Sequence, residues 1–151
     1  MHYDPSTGHI TRNGKRIGYL HHKSKRRAGR SVEVVSIVRG GRKVKIPVHR
    51  LAFELMGEPV PEMVDHINGD CLDNRWCNLR PCTAAQNAHN SSLRYGHPTG
   101  VKGVMVVKNP YRAMIMCRGV RYKSAHPTLE SAEAWVKELR AKLHGEFARD
   151  A

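Results

Sequence analysis

Between Val64 and Asn87 the chain carries, in close succession, the signals of two short strands, a turn and a helix start. Val64-Asp65-His66 is followed by Asn68-Gly69, a dipeptide suited to closing a tight turn, and then by Asn78-Leu79-Arg80. Thr83 and Gln86 have the Thr-x-x-Gln spacing of a capping box. A β-hairpin followed by a helix is the expected outcome, and such a unit can bring Asp65 and Asn87, twenty-two residues apart, to opposite sides of one cation. Singly these residues are ordinary, since an Asp-His pair is usually a surface feature and lone asparagines usually serve as caps. Their joint spacing carries the reading.

Charge points to the partner. Lys and Arg number 26 against 13 Asp and Glu in 151 residues, a net +13 that favours a polyanion over an acidic protein or a neutral metabolite. The excess is uneven: residues 1–47 carry +10, residues 48–97 carry −2 and residues 98–151 carry +5. Basic arms suit counterion release from phosphates, and central carboxylates suit a metal ion; the bland alternative is that the arms are merely solvated. No stretch has the length of a membrane span and the start, MHYDPSTGHI, has no apolar signal region, so the expectation is a soluble, intracellular, cytoplasmic protein. Cys71, Cys77, Cys82 and Cys117 include no Cys-x-x-Cys pair, which favours reduced thiols over a zinc site.

Local patterns predict an α+β chain. His9 to Arg12 and Lys15 to Tyr19 flank Asn13-Gly14, a hairpin turn, and Lys23 to Arg30 reads as a polar basic loop. Val32 to Val38 pairs with Lys43 to Ile46 across Gly40-Gly41 as a second hairpin. Val48, Leu51, Ala52 and Leu55 recur at helical spacing, and Gly57, Pro59 and Pro61 stop that helix. A linker near Tyr95 to Gly100 separates residues 1–97, with the core motif at 62–92, from residues 98–151. The second part reads as strands Val101–Val107, Tyr111–Cys117 and Val120–Ser124, then a helix with Thr128 as N-cap. That helix carries Ala132, Trp135, Val136, Leu139 and Leu143 on one face and stops at Gly145. Two small domains fit a chain of this length.

The run from Val64-Asp65-His66 to Asn87, with nine residues from Asn78 to Asn87, resembles the His-Asn-His (HNH) endonucleases and their ββα-metal, or His-Me finger, motif. The pattern is most similar to that of small phage homing endonucleases. The resemblance implies that Asp65 and Asn87 hold the metal, His66 is the general base and Asn78 orients the loop. It implies one Mg²⁺ or Mn²⁺ per site, hard ions that accept carboxylate and amide oxygens, and hydrolysis of DNA phosphodiesters to 5′-phosphate and 3′-hydroxyl ends. Relatives with histidines at the metal positions hold zinc or nickel; here Asp and Asn stand there, and no four-cysteine zinc knuckle is present. His89 falls about 200° round the helix from Asn87 and reads as a phosphate contact or surface residue. Ser91, one turn on, faces the metal side. Arg75 and Arg80 clamp phosphate, or Arg80 braces the loop.

Residues 100–147 resemble the three-strand-plus-helix DNA-binding domain of plant ethylene-response factors, through Gly103-Val104, Tyr111-Arg112-Ala113-Met114-Ile115, Gly119 and Thr128-Leu129-Glu130-Ser131-Ala132. Alternation places Tyr111, Ala113, Ile115 and Cys117 inward and Arg112, Met114, Met116 and Arg118 outward, joined by Arg121 and Lys123. This outer face either meets duplex DNA or packs on the nuclease core. The whole is expected to be a phage-encoded homing or nicking enzyme, acting on double-stranded DNA as a monomer in a bacterial host, with no membrane and no small-molecule substrate. Rival readings are a non-catalytic, sequence-specific DNA-binding protein that keeps the nuclease fold, and a basic RNA-binding protein.

Overall fold

The computed structural model describes residues 1–22, 31–90, 93, 96–107 and 111–148, and the basic loop Lys23–Arg30 lies outside them. Two compact units divide the chain, residues 1–83 and 84–151. Several small antiparallel sheets and three helices make up the described residues.

In the first unit, β1 (His2–Asp4), β2 (His9–Arg12) and β3 (Lys15–Ile17) form one sheet. Arg12 pairs with Lys15 across Asn13 and Gly14, whose φ angles of 51° and 73° are those the expected two-residue turn demands. The strand expected to run from Lys15 to Tyr19 is broken at Gly18. There φ is 136°, and a Cβ would stand 2.6 Å from Glu33 Oε1, so the backbone turns away and Tyr19 opens a new strand. That strand, β4 (Tyr19–His22), joins β5 (Ser31–Arg39) and β6 (Arg42–Pro47). Arg39 pairs with Arg42 across Gly40-Gly41, as expected.

Helix α1 (Val48–Leu55) follows, and Gly57 ends it with φ at 78°. Its apolar face meets Val35 and Ile37 of β5 and reaches Tyr3, Ile10 and Leu79, the core of this unit. Truncating a core leucine such as Leu51, 1% exposed, to alanine costs about 2–5 kcal/mol in comparable cores. The hairpin of β7 (Met63–His66) and β8 (Leu79–Cys82) completes the unit. Asn68-Gly69 does not close that hairpin. It makes a local turn, with Gly69 N–H donating to His66 O at 2.8 Å, and the chain continues through residues 70–78 before β8. A 3₁₀ turn at Trp76–Asn78 ends this excursion, and Trp76 is gripped by Phe53 and Tyr3 at ring distances of 4.8 and 6.4 Å.

The second unit holds α2 (Ala84–His89), a sheet ordered β11 (Val120–His126), β10 (Tyr111–Cys117), β9 (Val104–Val106), and α3 (Leu129–His144). The first of these strands is shorter than the expected Val101–Val107. Gly103, at φ 83°, forms a turn and accepts Met114 N–H at 2.8 Å, and a Cβ there would meet Met114 O at 2.8 Å. Val120–His126 runs two residues past its expected end. Helix α3 starts and stops where the caps predict: Thr128 Oγ1 accepts Ser131 N–H at 3.2 Å, and Gly145 has φ 52°. Ala113 and Ile115 pack with Ala132 and Val136, with Trp135, Leu139 and Leu143 around them. Among the described residues no helix is long and apolar enough to cross a membrane.

Helix α2 is tied into this second unit. The His89 and His144 rings stack at 3.6 Å, and Lys102 Nζ donates to His89 O at 2.6 Å at the helix C-terminus. Arg140, 2% exposed, donates to Lys102 O at 2.7 Å. Burial holds both imidazoles below the usual histidine range, helped at His89 by Lys102 and at His144 by His89. His144 Nδ1 has no hydrogen-bond partner among the described residues, so a proton there would be a buried charge.

The neutral stack contributes stability above the ordinary histidine pKa of 6.5 that is lost as pH falls through the lowered values. Thermal unfolding between about pH 7.5 and 5 should fall more steeply in the wild type than in His144→Phe, which keeps the stack without the proton site. In the first unit, a Cβ on Gly8, φ 74°, would stand 2.4 Å from the Asn74 carbonyl carbon and 2.6 Å from Arg75 N, both backbone. Gly8→Ala should cost at least about 2 kcal/mol in thermal or denaturant unfolding. Gly14→Ala, where the same φ strain meets open space, should cost less.

Candidate active site

The hairpin brings Asp65 and Arg80 directly opposite each other. Arg80 Nε donates to Asp65 Oδ2 at 2.9 Å, Nη2 stands 2.8 Å from the same oxygen as an ion pair, and the two side chains are 12% and 5% exposed. A carboxylate this buried needs a cation beside it, and removing one partner of such a pair costs about 3–5 kcal/mol.

His66 ends β7 and is also buried. Its Nε2 lies 3.2 Å from Asn74 Oδ1, and its ring stands edge-on to His49 at the start of α1, 5.2 Å away. The Asn74 amide nitrogen faces Glu33 Oε2 at 3.5 Å and Leu72 O at 3.4 Å. Arg16 in turn donates to Glu33 Oε1 at 3.0 Å. The Asn74 carbonyl accepts the Tyr3 hydroxyl at 2.7 Å. Burial, with nearby Asp4, Cys77 and Asp73, raises that hydroxyl from 10.0 to about 12, so it stays a donor through the neutral range.

Asn78 braces the excursion between the strands. Its Oδ1 accepts Asn68 N–H at 2.9 Å, while its Nδ2 donates to Asn68 Oδ1 at 3.0 Å and to Asp73 O at 2.7 Å. Asn68 Nδ2 donates onward to Asp73 Oδ2 at 2.8 Å. Arg75 grips the same carboxylate with Nε and Nη2, at 2.8 and 2.6 Å, and those hydrogen bonds hold Asp73 at about 2. The sequence-expected residues Asp65, His66, Arg75, Asn78 and Arg80 thus gather on one hairpin and its excursion in the first unit.

The remaining expected residues belong to the second unit. Asn87 and His89 are on α2, and Ser91 lies outside the described residues. Arg112, Arg121 and Lys123 are exposed on the outer face of the sheet, with Arg118 in the turn at φ 49°. Met114 stands opposite Lys123 and Met116 opposite Arg121, so methionines and cations alternate there.

Sequence reading did not single out Asn74, Glu33 or Tyr3 as site residues. Asn74 lies between Asn68-Gly69 and Asn78-Leu79-Arg80, yet its partners lie 41 and 71 residues away, beyond any local signal. Among the described residues no three His, Cys, Asp or Glu side chains gather as a metal group. The first unit instead offers a buried carboxylate oxygen, a hard donor of the kind Mg²⁺ or Mn²⁺ takes alongside amide oxygens, water and phosphate.

The chain is 29% identical over 105 residues to Protein 3.8 of Escherichia phage T7, covering 67% of this chain and 87% of that protein. It is 33% identical over 109 residues to an uncharacterized HNH endonuclease, L560, of Acanthamoeba polyphaga mimivirus, covering 69% of this chain and 56% of that one. No solved structure matches. Residues 47–89, which contain Asp65, His66, Asn74, Asn78 and Arg80, match the HNH endonuclease family, and in that segment the chain is similar to the HNH nucleases.

Proposed function

We propose that this chain is an HNH endonuclease that hydrolyses phosphodiester bonds of double-stranded DNA with one Mg²⁺ or Mn²⁺ ion, as a phage homing or nicking enzyme acting in the bacterial cytoplasm. The observation that carries the reading is a buried carboxylate and a buried imidazole on consecutive residues, Asp65 and His66, inside the segment that matches this family. The family resemblance assigns Asp65 and Asn87 as the residues that would hold the ion, through a carboxylate and an amide oxygen. When bound, the ion supplies positive charge for the phosphate and for the departing 3′ oxygen.

The protein's own groups do the rest. His66 takes the proton of the attacking water, a role worth roughly 10²- to 10⁴-fold in rate. Asn78 keeps the excursion closed, so that His66 and Asp65 keep their relative placement. Arg80 offsets the Asp65 charge, and Arg75 and His89 lie close in sequence to the site as phosphate contacts, with Ser91 a further one. Attack at phosphorus with loss of the 3′ oxygen leaves 5′-phosphate and 3′-hydroxyl ends. A single site in a small chain suits nicking by a monomer.

The outer face of the C-terminal sheet, with Arg112, Arg118, Arg121 and Lys123, lies against duplex DNA in this reading, in keeping with its resemblance to the ethylene-response-factor domain. Its cations supply phosphate contacts, and its methionines supply apolar surface for thymine methyl groups.

Supercoiled plasmid should be nicked by the wild-type chain with Mg²⁺, and His66→Ala should nick at least about 100-fold more slowly. Equal nicking by both proteins removes His66 from the chemistry, and no nicking by either favours a DNA-binding protein without catalysis. The double substitution Arg121→Ala/Lys123→Ala should weaken duplex binding and lower the slope of log affinity against log salt by about 2. An unchanged slope places the sheet away from the phosphates.

A further inference from the structure

Among the described residues of the first unit, five polar side chains are buried: Glu33, Asp65, His66, Asn74 and Asn78. Three have roles in the proposed reaction, and the other two, Asn74 and Glu33, lead from His66 to Arg16 near the surface. The Asn74 amide has one stable orientation. Its nitrogen faces a carboxylate oxygen of Glu33 and the Leu72 carbonyl, both acceptors only, so reversing the amide would set oxygen against oxygen twice. Oδ1 therefore faces His66, and an amide oxygen only accepts. His66 must present N–H at Nε2, which leaves Nδ1 with the ring's lone pair.

From this geometry we infer that Asn74 and Glu33 are positioning residues that hold His66 in the Nε2–H tautomer. As a catalytic assignment this rests on the nuclease reading above; as a statement about the imidazole it stands alone. The relay is built from distant segments. Glu33 lies on β5, and Gly18, where a Cβ would collide with its carboxylate, leaves room for it. Arg16 on β3 balances its charge. Tyr3 on β1 and the backbone at Gly8 hold the Asn74 main chain from the other side. A base held in the wrong tautomer is a known route to large rate losses without loss of geometry.

Two measurements on the full-length protein test the relay. Long-range ¹H–¹⁵N correlation spectra, taken where the imidazole is neutral, should give the Nε2–H pattern for His66 in the wild type and a mixture of tautomers in Asn74→Ala. In plasmid nicking, Asn74→Ala should lower kcat by about 100-fold with KM for DNA within about twofold of the wild type. Asn74→Asp alone sets two carboxylates against each other and should also lose kcat. Asn74→Asp/Glu33→Gln exchanges donor and acceptor across the contact, keeps an acceptor toward His66, and should recover kcat to within about fivefold. An Nδ1–H pattern in the wild type overturns the inference. So does wild-type nicking by Asn74→Ala when His66→Ala is inactive, or failure of the paired substitution to recover activity in a folded protein. If wild type and His66→Ala nick alike, the nuclease reading fails, and the spectra alone decide whether the relay sets the tautomer.

Discussion

The first unit is organised around a buried ion pair, Asp65 with Arg80, placed face to face by the register of a two-stranded hairpin. Burying a carboxylate is tolerable only with a cation and hydrogen bonds close by, so this pair allows just one alignment of β7 and β8. A slip of one residue would move Arg80 to the other face of the hairpin and leave Asp65 buried without its countercharge. Asp65 and His66 are adjacent in the chain, so the alignment that places the carboxylate also places the imidazole.

The excursion of residues 67–78 is a second consequence. A tight turn at Asn68-Gly69 would have left no loop for Asn74 and Asn78 to occupy. Instead Asn78 ties both ends of the excursion together, Trp76 plugs into the aromatic side chains of Tyr3 and Phe53, and Tyr3 bonds the Asn74 carbonyl. The N-terminal strands, which charge alone would describe as part of a basic arm, are a wall of the site. Arg12 and Lys15 are exposed, Arg16 reaches back to Glu33, and Tyr3, Ile10 and Glu33 are buried.

The two units use different means to position functional groups. The first holds them with polar contacts in a small apolar setting, where each lost partner is costly. The second holds α2 through stacked imidazoles, a lysine on a helix C-terminus and a buried arginine, and presents cations on the far face of a sheet whose near face is apolar. This division does not follow the charge profile: the most basic segment, residues 1–47, lies in the first unit together with both buried carboxylates, Glu33 and Asp65.

What the sequence determined by itself is local. The turns at Asn13-Gly14 and Gly40-Gly41, helix α1 with its glycine stop, and α3 between Thr128 and Gly145 were legible because each signal acts over one turn of backbone, where φ preferences and capping decide the outcome. The spacing of Asp65, His66 and Asn78 was legible for the same reason, being confined to one hairpin. Only the tertiary structure decided that Gly18 splits a strand, that Asn68-Gly69 is a local turn inside a longer excursion, and that Glu33 and Tyr3 reach Asn74. The Gly and Pro residues near 95–100 signal a break in pattern, but they do not say which body α2 packs with. Those outcomes turn on whether a buried polar atom finds a partner, and the partners come from 41 and 71 residues away, where no local preference extends.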